Sequence, residues 1–583
     1  MNLTPEERAI GKENFQAAIG SEYTRRDFLK GTLAATVAGA GLGAMYFGYA
    51  EGGPPKNPLR VGYIGVGDEG EVLLGALHSE NTRKYIQVVA ISDIRPFSVH
   101  RAFHGDHSSP DALGRRPGLM SMYGWKTEDE ARKHIKVYDK DYMDLLNDPN
   151  VEAVVIALPL HLHSVASIKA MRKGKHVITE KLMGHSVHEC KEMGRVAKET
   201  NKILAVGHQR NYSVLYDNAK WLIRHGLLGD LHYIRAQWHR GNLPGHDSWQ
   251  MPMPGDEKLV RQVLHLEKII ASKSAKPADI DEAEKLLAQV KAQQADAKVN
   301  AAAYGYESLT LPDGKQRSAL EELIRWRLWN RTGAGLMAEL GSHQLDAAGI
   351  LIGAALERAH GTEHEHGLPL NVTGLGGRYI FPMDRDCEDH VYCMYEFPGP
   401  EYHKDPNKKI ALTYSSINGN GFGDYGEVVM GTEGTLVLEK EQEAMLFKSA
   451  STGTHIKVSE DKGGPVLDTA ESGGHAVAVG AAALDASPIS RGYTEELEHW
   501  AWCIQNPAPD HKPRVGPAVA LADAVIALVS SMAIRDPKEK ARIEFNKAWF
   551  DLSSDETPEG IKPDLNRDEY KPSSSSKSNP SSV

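Results

Sequence analysis

Apolar residues in the first part of the chain come in short blocks separated by helical spacing. Val61, Tyr63 and Ile64 make a β-prone run, and Val72, Leu73, Leu74 and Leu77 follow at helical intervals. Further apolar runs lie at 87–91, 151–158, 176–179 and 203–206, and 138–146 reads as a helix. Strands alternating with helices predict a doubly wound parallel sheet over residues 59–212, with its site at the strand carboxyl ends. The pattern changes beyond Tyr212. Runs at 231–238, 372–381, 390–397, 410–417, 427–430 and 435–439 read as strands, with few helical stretches between the later ones. They predict a second α/β domain, 213–555, on a mostly antiparallel open sheet. Residues 256–302 interrupt it with two amphipathic runs that break at Lys276-Pro277. Leu259, Val263, Leu266 and Ile270 face Ile280, Leu286, Leu287 and Val290, a helical hairpin suited to packing or an oligomer contact. Later helices are expected at 493–503 and 515–534, a surface loop at 104–125, and a disordered tail at 556–583.

The glycines after the first strand turn this pattern into chemistry. Gly65, Gly67 and Gly70 stand at G-x-G-x-x-G spacing between strand and helix, which aims backbone N–H groups and the helix dipole at a pyrophosphate. The second strand ends at Asp93, where a dinucleotide fingerprint places its ribose-binding acid. A carboxylate there repels a 2′-phosphate, so NAD is expected over NADP, although Arg95 offers a partial offset.

A chain of 583 residues is long enough for two domains with insertions. Its net charge of −11 and the lack of a basic stripe exclude a nucleic-acid partner. Four scattered cysteines read as buried thiols, neither a disulfide framework nor a zinc site. No metal is expected, because His360, His364 and His366 lie in a Gly-rich loop without carboxylates at fixed geometry. At the N-terminus, Arg25 and Arg26 precede a weakly apolar, Gly- and Ala-rich stretch reaching Ala50. This resembles a twin-arginine export signal, with 1–50 as the signal region and 51–58 as linker. An exported, periplasmic protein is implied, held at the membrane if the signal stays uncleaved.

Pro159 with His163, Glu180-Lys181 and the stretch Gly333-Ala-Gly-Leu-Met-Ala-Glu-Leu-Gly-Ser-His-Gln-Leu-Asp346 join the glycine turn and Asp93 in one order. Together they resemble the glucose–fructose oxidoreductase/inositol dehydrogenase (Gfo/Idh/MocA) family. The resemblance implies a Rossmann domain followed by a substrate and oligomerisation domain, and a homo-oligomer. It places Lys181 beside nicotinamide and substrate, with Leu182 where the family has proline. The family's Asp-x-x-x-His pair maps onto Glu339 and His343. The chemistry suits these types independently: a histidine titrates near working pH and can take a hydroxyl proton. A lysine stabilises the developing alkoxide. His163 and Arg210, at strand carboxyl ends, are candidates for the cofactor alongside Pro159 and Glu180, and Tyr212, His239 and Arg240 are candidates for the substrate.

The sequence therefore points to an exported, NAD-dependent oxidoreductase acting on a hydroxyl of a sugar, cyclitol or glycoside, with NAD retained and recycled. Two alternatives share the scaffold: a glycoside hydrolase or lyase working through a transient keto intermediate, and a non-catalytic sugar sensor.

Overall fold

The run at Val61 becomes β1 (Leu59–Ile64), the central strand of a six-stranded parallel sheet. It is joined by β2 (Ile86–Ser92), β3 (Lys136–Tyr138), β4 (Ala153–Ile156), β5 (His176–Glu180) and β6 (Leu204–Gly207), in the order β3-β2-β1-β4-β5-β6. Every residue of β4 is buried, because helices cover both faces of the sheet. The strand order reverses between β1 and β4, which opens a crevice at their carboxyl ends. The computed structural model describes residues 3–34, 47, 49, 55–362, 366–449, 457–461, 464–468, 491–536 and 541–570.

The second sheet holds β7 (Leu231–Arg240), β8 (Asn371–Gly377), β9 (His390–Pro398), β10 (Lys409–Asn418), β11 (Tyr425–Gly431), β12 (Gly434–Glu439), β13 (Glu443–Lys448) and β14 (Arg542–Glu544). Their order is β13-β12-β11-β7-β10-β9-β8-β14, and only β7 and β10 run parallel. Alternation decides its faces: Ile410, Leu412 and Tyr414 of β10 turn into the core while their neighbours do not.

Helix α1 (Pro5–Ala34) lies across the outer edge of that sheet. Phe15, Ala18 and Ile19 are buried, Asn14 Nδ2 donates to Leu446 O at 2.9 Å, and Arg8 pairs with Glu439 and Glu443. The early part of the expected signal region is thus packed on the folded body. So is Tyr49, which is buried and donates from its hydroxyl to Glu498 Oε2 at 2.7 Å. Residues 35–46 and 51–54, which hold most of the Gly- and Ala-rich stretch and the start of the linker, lie outside the described residues.

Several expectations need correction. The stretch 104–125 is not a surface loop: short helices Pro110–Arg115 and Leu119–Tyr123 form there, and Leu119 and Met122 are buried. Asp106, gripped by Arg101 and Arg116, pins the segment that composition alone made look loose. The helix expected at 138–146 is shorter (Tyr142–Asn147), capped by Asp141 and preceded by β3. Residues 556–570 are ordered, not disordered. Tyr570 is fully buried and donates to Glu192 Oε2 at 2.6 Å, and Lys191 Nζ donates to the carbonyls of Ala548, Ser554 and Glu556. The remainder of the tail, 571–583, lies outside the described residues.

The chain also returns to its first sheet. Four further helices matter for the site and its frame: α2 (Asp68–Gly75), α3 (Pro96–His104), and the insertion hairpin α4 (Glu257–Ile270) and α5 (Pro277–Ala295). Then come α6 (Ser342–His360), α7 (Tyr493–Gln505) and α8 (Pro517–Arg535). In α7, Leu497, Trp500 and Cys503 share a core with Tyr63, Ile86 and Ile91, so this helix belongs with the parallel sheet and not with 213–555. Helix α8 is long and apolar enough to cross a membrane, with a mean hydropathy of 2.0, but 78% of that window is buried inside the protein. It is a core helix.

Candidate active site

The crevice at the β1/β4 switch point opens into a cavity of 1440 Å³ that reaches across to the second sheet. That exceeds the range of about 300–1,000 Å³ for one small ligand and leaves room for two. Each glycine of the turn has its own reason. Gly65 sits at φ +84°, and a Cβ there would meet Ala157 O at 2.4 Å. A Cβ on Gly70 would meet Gly65 O at 2.4 Å, so helix and turn touch through it. Gly67 has nothing within 4 Å of its missing Cβ and lines the cavity. It is a cradle for a phosphate backbone. Asp93 braces the turn, with Oδ2 accepting from Val66 N at 3.0 Å and Oδ1 from Arg95 N at 2.9 Å. Burial raises its carboxyl and these two donors oppose that rise. The first turn of α2 is acidic, and Arg101 offsets it by pairing with Asp68 at 2.8 Å and Glu71 at 3.0 Å. The residues present fit a dinucleotide.

At the far end of the cavity the Glu180-Lys181 and Gly333–Asp346 stretches converge. Lys181 Nζ donates to Glu339 O at 2.9 Å and lies 4.0 Å from Glu339 Oε2. Glu339 sits in a widened, π-helical turn (Met337–Gly341) that runs directly into α6. Burial would raise its carboxyl, but Arg327, whose Nε donates to Oε1 at 2.6 Å, and Lys181 outweigh that and hold it at about 2. Glu339 is a fixed carboxylate. His343 follows one turn later, its ring 5.1 Å from that of Trp238. Among the described residues no side chain or carbonyl hydrogen-bonds the ring nitrogens. Burial, then the positive charges of Lys181 and Arg210, push its pKa well below the ordinary histidine value. The ring is neutral at neutral pH. Glu180 accepts from Lys181 N at 3.1 Å, and burial together with Glu69 pushes its carboxyl upward.

Of the other expected site residues, Pro159, His239 and Arg240 line the cavity. Arg240 lies against the rings of Trp238 and Trp249, at 5.7 and 5.4 Å from their centroids. His239 is engaged on both nitrogens, by Phe422 O and Ser415 Oγ. His163 borders the cavity, but its nitrogens contact Leu182 O at 2.8 Å and Leu158 O at 2.7 Å, so it pins two loops and offers no free nitrogen. Two placements are corrected. Arg210 is fully buried behind the cavity, bonded to Glu441, Glu427 and His343 O, and supports the start of α6. Tyr212 is also fully buried, accepting from Arg514 N and hydrogen-bonded to His499 Nδ1. Both leave the end of β6 pointing away from the cleft, which proximity along the sequence does not reveal. Arg327, Trp249 and Arg491, which line the cavity, were not legible in advance. No periodicity or motif marks them. Among the described residues no group of three His, Cys, Asp or Glu side chains could hold a metal ion, and His364 is outside them.

Residues 59–208 match the model of the Gfo/Idh/MocA oxidoreductase family, NAD-binding Rossmann fold, and residues 22–43 match the twin-arginine translocation signal. The parallel-sheet domain therefore belongs to the Gfo/Idh/MocA oxidoreductase family, and the signal indicates export. Among curated relatives, a scyllo-inositol 2-dehydrogenase (NAD(+)) of Bacillus subtilis is 33% identical over 112 residues, 19% of this chain and 33% of the relative. A glycosyl hydrolase family 109 protein of Shewanella amazonensis is 28% identical over 231 residues, 37% of this chain and 45% of the relative. A solved aldose-aldose oxidoreductase of Caulobacter crescentus aligns over 84% of this chain and all of its own, with 16% identity and a TM-score of 0.46. The chain spans less than half the length of the curated relatives it matches.

Proposed function

We propose that this protein is an exported, NAD-dependent oxidoreductase acting on a hydroxyl of a sugar, cyclitol or glycoside. The observation that carries it is a neutral, unbonded His343 ring beside an anchored Lys181, opposite the glycine turn in one cavity. Gly67 and Asp93 would hold the dinucleotide, with Lys181 and Glu180 near its nicotinamide. When bound, NAD supplies a hydride acceptor. His343 takes the proton from the reacting hydroxyl, since a neutral imidazole has a lone pair to receive it. Lys181 Nζ, fixed by the Glu339 carbonyl, hydrogen-bonds the same oxygen as negative charge builds there. Glu339 and Arg327 hold this pair in place, so little reorganisation is needed at the moment of transfer. Flat rings of Trp238, Trp249 and Tyr425 line the substrate end and suit the C–H faces of a sugar. NAD over NADP, and a nucleotide retained through successive turnovers, complete the reading. An exported enzyme has no cytoplasmic pool from which to exchange cofactor.

The test is direct. Nucleotide-loaded wild-type protein mixed with a panel of sugars and cyclitols should generate NADH absorbance with at least one of them. Lys181→Met and His343→Ala should each lower turnover by roughly two or more orders of magnitude, the scale of acid–base groups. Nucleotide should stay bound. Sugar binding without any reduction of the cofactor, equal in wild type and variants, would hand the fold to a sensor role. The family 109 relative motivates a second reading, in which oxidation is transient and a glycosidic bond is cleaved. Release of an aglycone without net NADH would distinguish it.

A further inference from the structure

The helical insertion has no part in the proposed chemistry, yet it stands over the nucleotide end of the cavity. Helix α5 packs along α3 of the parallel-sheet domain. Gln289 ties the two, its Oε1 accepting from His107 N at 2.7 Å and its Nε2 donating to Asp106 Oδ1 at 3.0 Å. Just past the helix, Asp296 has a fully buried side chain. Its Oδ1 accepts from Phe97 N at 3.0 Å and its Oδ2 pairs with Arg95 Nε at 2.8 Å. Tyr306 then sets its ring against His161, with centroids 5.6 Å apart. Leu286, Val290 and Tyr306 line the same cavity as Gly67 and Asp93.

We propose that the insertion is a strap closing the adenosine end of the nucleotide site, latched by Asp296 on Arg95 and by Gln289 on the segment after α3, so that NAD is retained and NADP rejected. The proposal rests on the assignment of the Gly65–Asp93 crevice to NAD. Retention follows from geometry: a bound dinucleotide leaves only after this wall moves, and differences of this kind appear in the off-rate. Rejection follows from charge. Arg95 is placed two residues past Asp93, where a cation could receive a 2′-phosphate, but Asp296 neutralises it. A phosphate entering there would meet the carboxylates of Asp93 and Asp296, with Arg95 held by Asp296 through its Nε.

Full-length protein loaded with NAD, its Asp296→Asn variant and its Gln289→Ala variant would be passed through gel filtration and the nucleotide left on each measured. NAD and NADP would then be titrated into stripped protein. Wild type should retain nucleotide, and both variants should release it about tenfold faster or more, as loss of a buried tie implies. Asp296→Asn alone should narrow the preference for NAD over NADP, also by about tenfold, because it frees Arg95 while Gln289→Ala does not. Release and preference unchanged in variants that keep the wild-type melting temperature would overturn the strap. Should Asp296→Asn fail to fold, Gln289→Ala decides retention by itself, and unchanged release then overturns the proposal. If wild type binds neither nucleotide, the underlying NAD assignment fails, and the strap falls with it for that separate reason.

Discussion

At the scale of single residues, His343 shows how position and environment divide the work. Its place one turn after Glu339 is written in the sequence, but its protonation state is not. That comes from burial and from Lys181 and Arg210, which all disfavour the imidazolium. The sign is clear: a base whose pKa is depressed stays neutral to lower pH than an ordinary histidine near 6.5. The acid limb of kcat/KM should therefore fall below pH 6.5, and a limb at or above that value would exclude His343 as the base. Other residues were legible only in part. The strand-end rule placed His163, Arg210 and Tyr212 near the cleft, yet the polar groups of all three are taken up by protein partners: His163 by two carbonyls at the cavity's border, Arg210 by carboxylates and a carbonyl behind it, and Tyr212 by His499 and the Arg514 N–H. Strand ends specify where a Cα lies. They do not specify which partner the side chain finds.

At the scale of elements, the turn between β1 and α2 was readable almost entirely, because G-x-G-x-x-G is a local pattern with a local physical cause. Two substitutions separate its roles. Gly70→Ala presses a methyl onto Gly65 O and should lower stability by about 1–3 kcal/mol, the usual cost of overpacking. Gly67→Ala meets no atom, so the fold should be unchanged while nucleotide affinity drops, measured by thermal melting beside nucleotide titration. Equal effects of the two on melting temperature would contradict this division. The hairpin tells the opposite story. Its apolar spacing gave both helices, but its docking on α3 rests on Gln289 and Asp296, polar residues with no periodic signature. Hence its relation to the nucleotide site emerged only in three dimensions.

For the whole molecule, alternation of strands and helices foretold two sheets, while the return of α7 to the first sheet was not legible. A chain reversal of this kind is decided by which core has room for Trp500, not by local propensity. The N-terminus adds a further long-range element, since α1 packs its early residues on β13 at the edge of the second sheet. Residues 5–19 can take up that position only once β12 and β13 exist, because Arg8 and Asn14 bind groups contributed by those strands. Twin-arginine export of an already folded, cofactor-loaded protein is consistent with this order of events. Replacing Arg25 and Arg26 together with lysine should leave such protein in the cytoplasm, protease-resistant and with its full complement of nucleotide. Fractionation followed by assay of nucleotide released on denaturation checks both halves. Recovery of the double variant outside the cytoplasm in normal amounts would remove the twin-arginine route. Recovery inside but nucleotide-free would keep the route and separate cofactor loading from export.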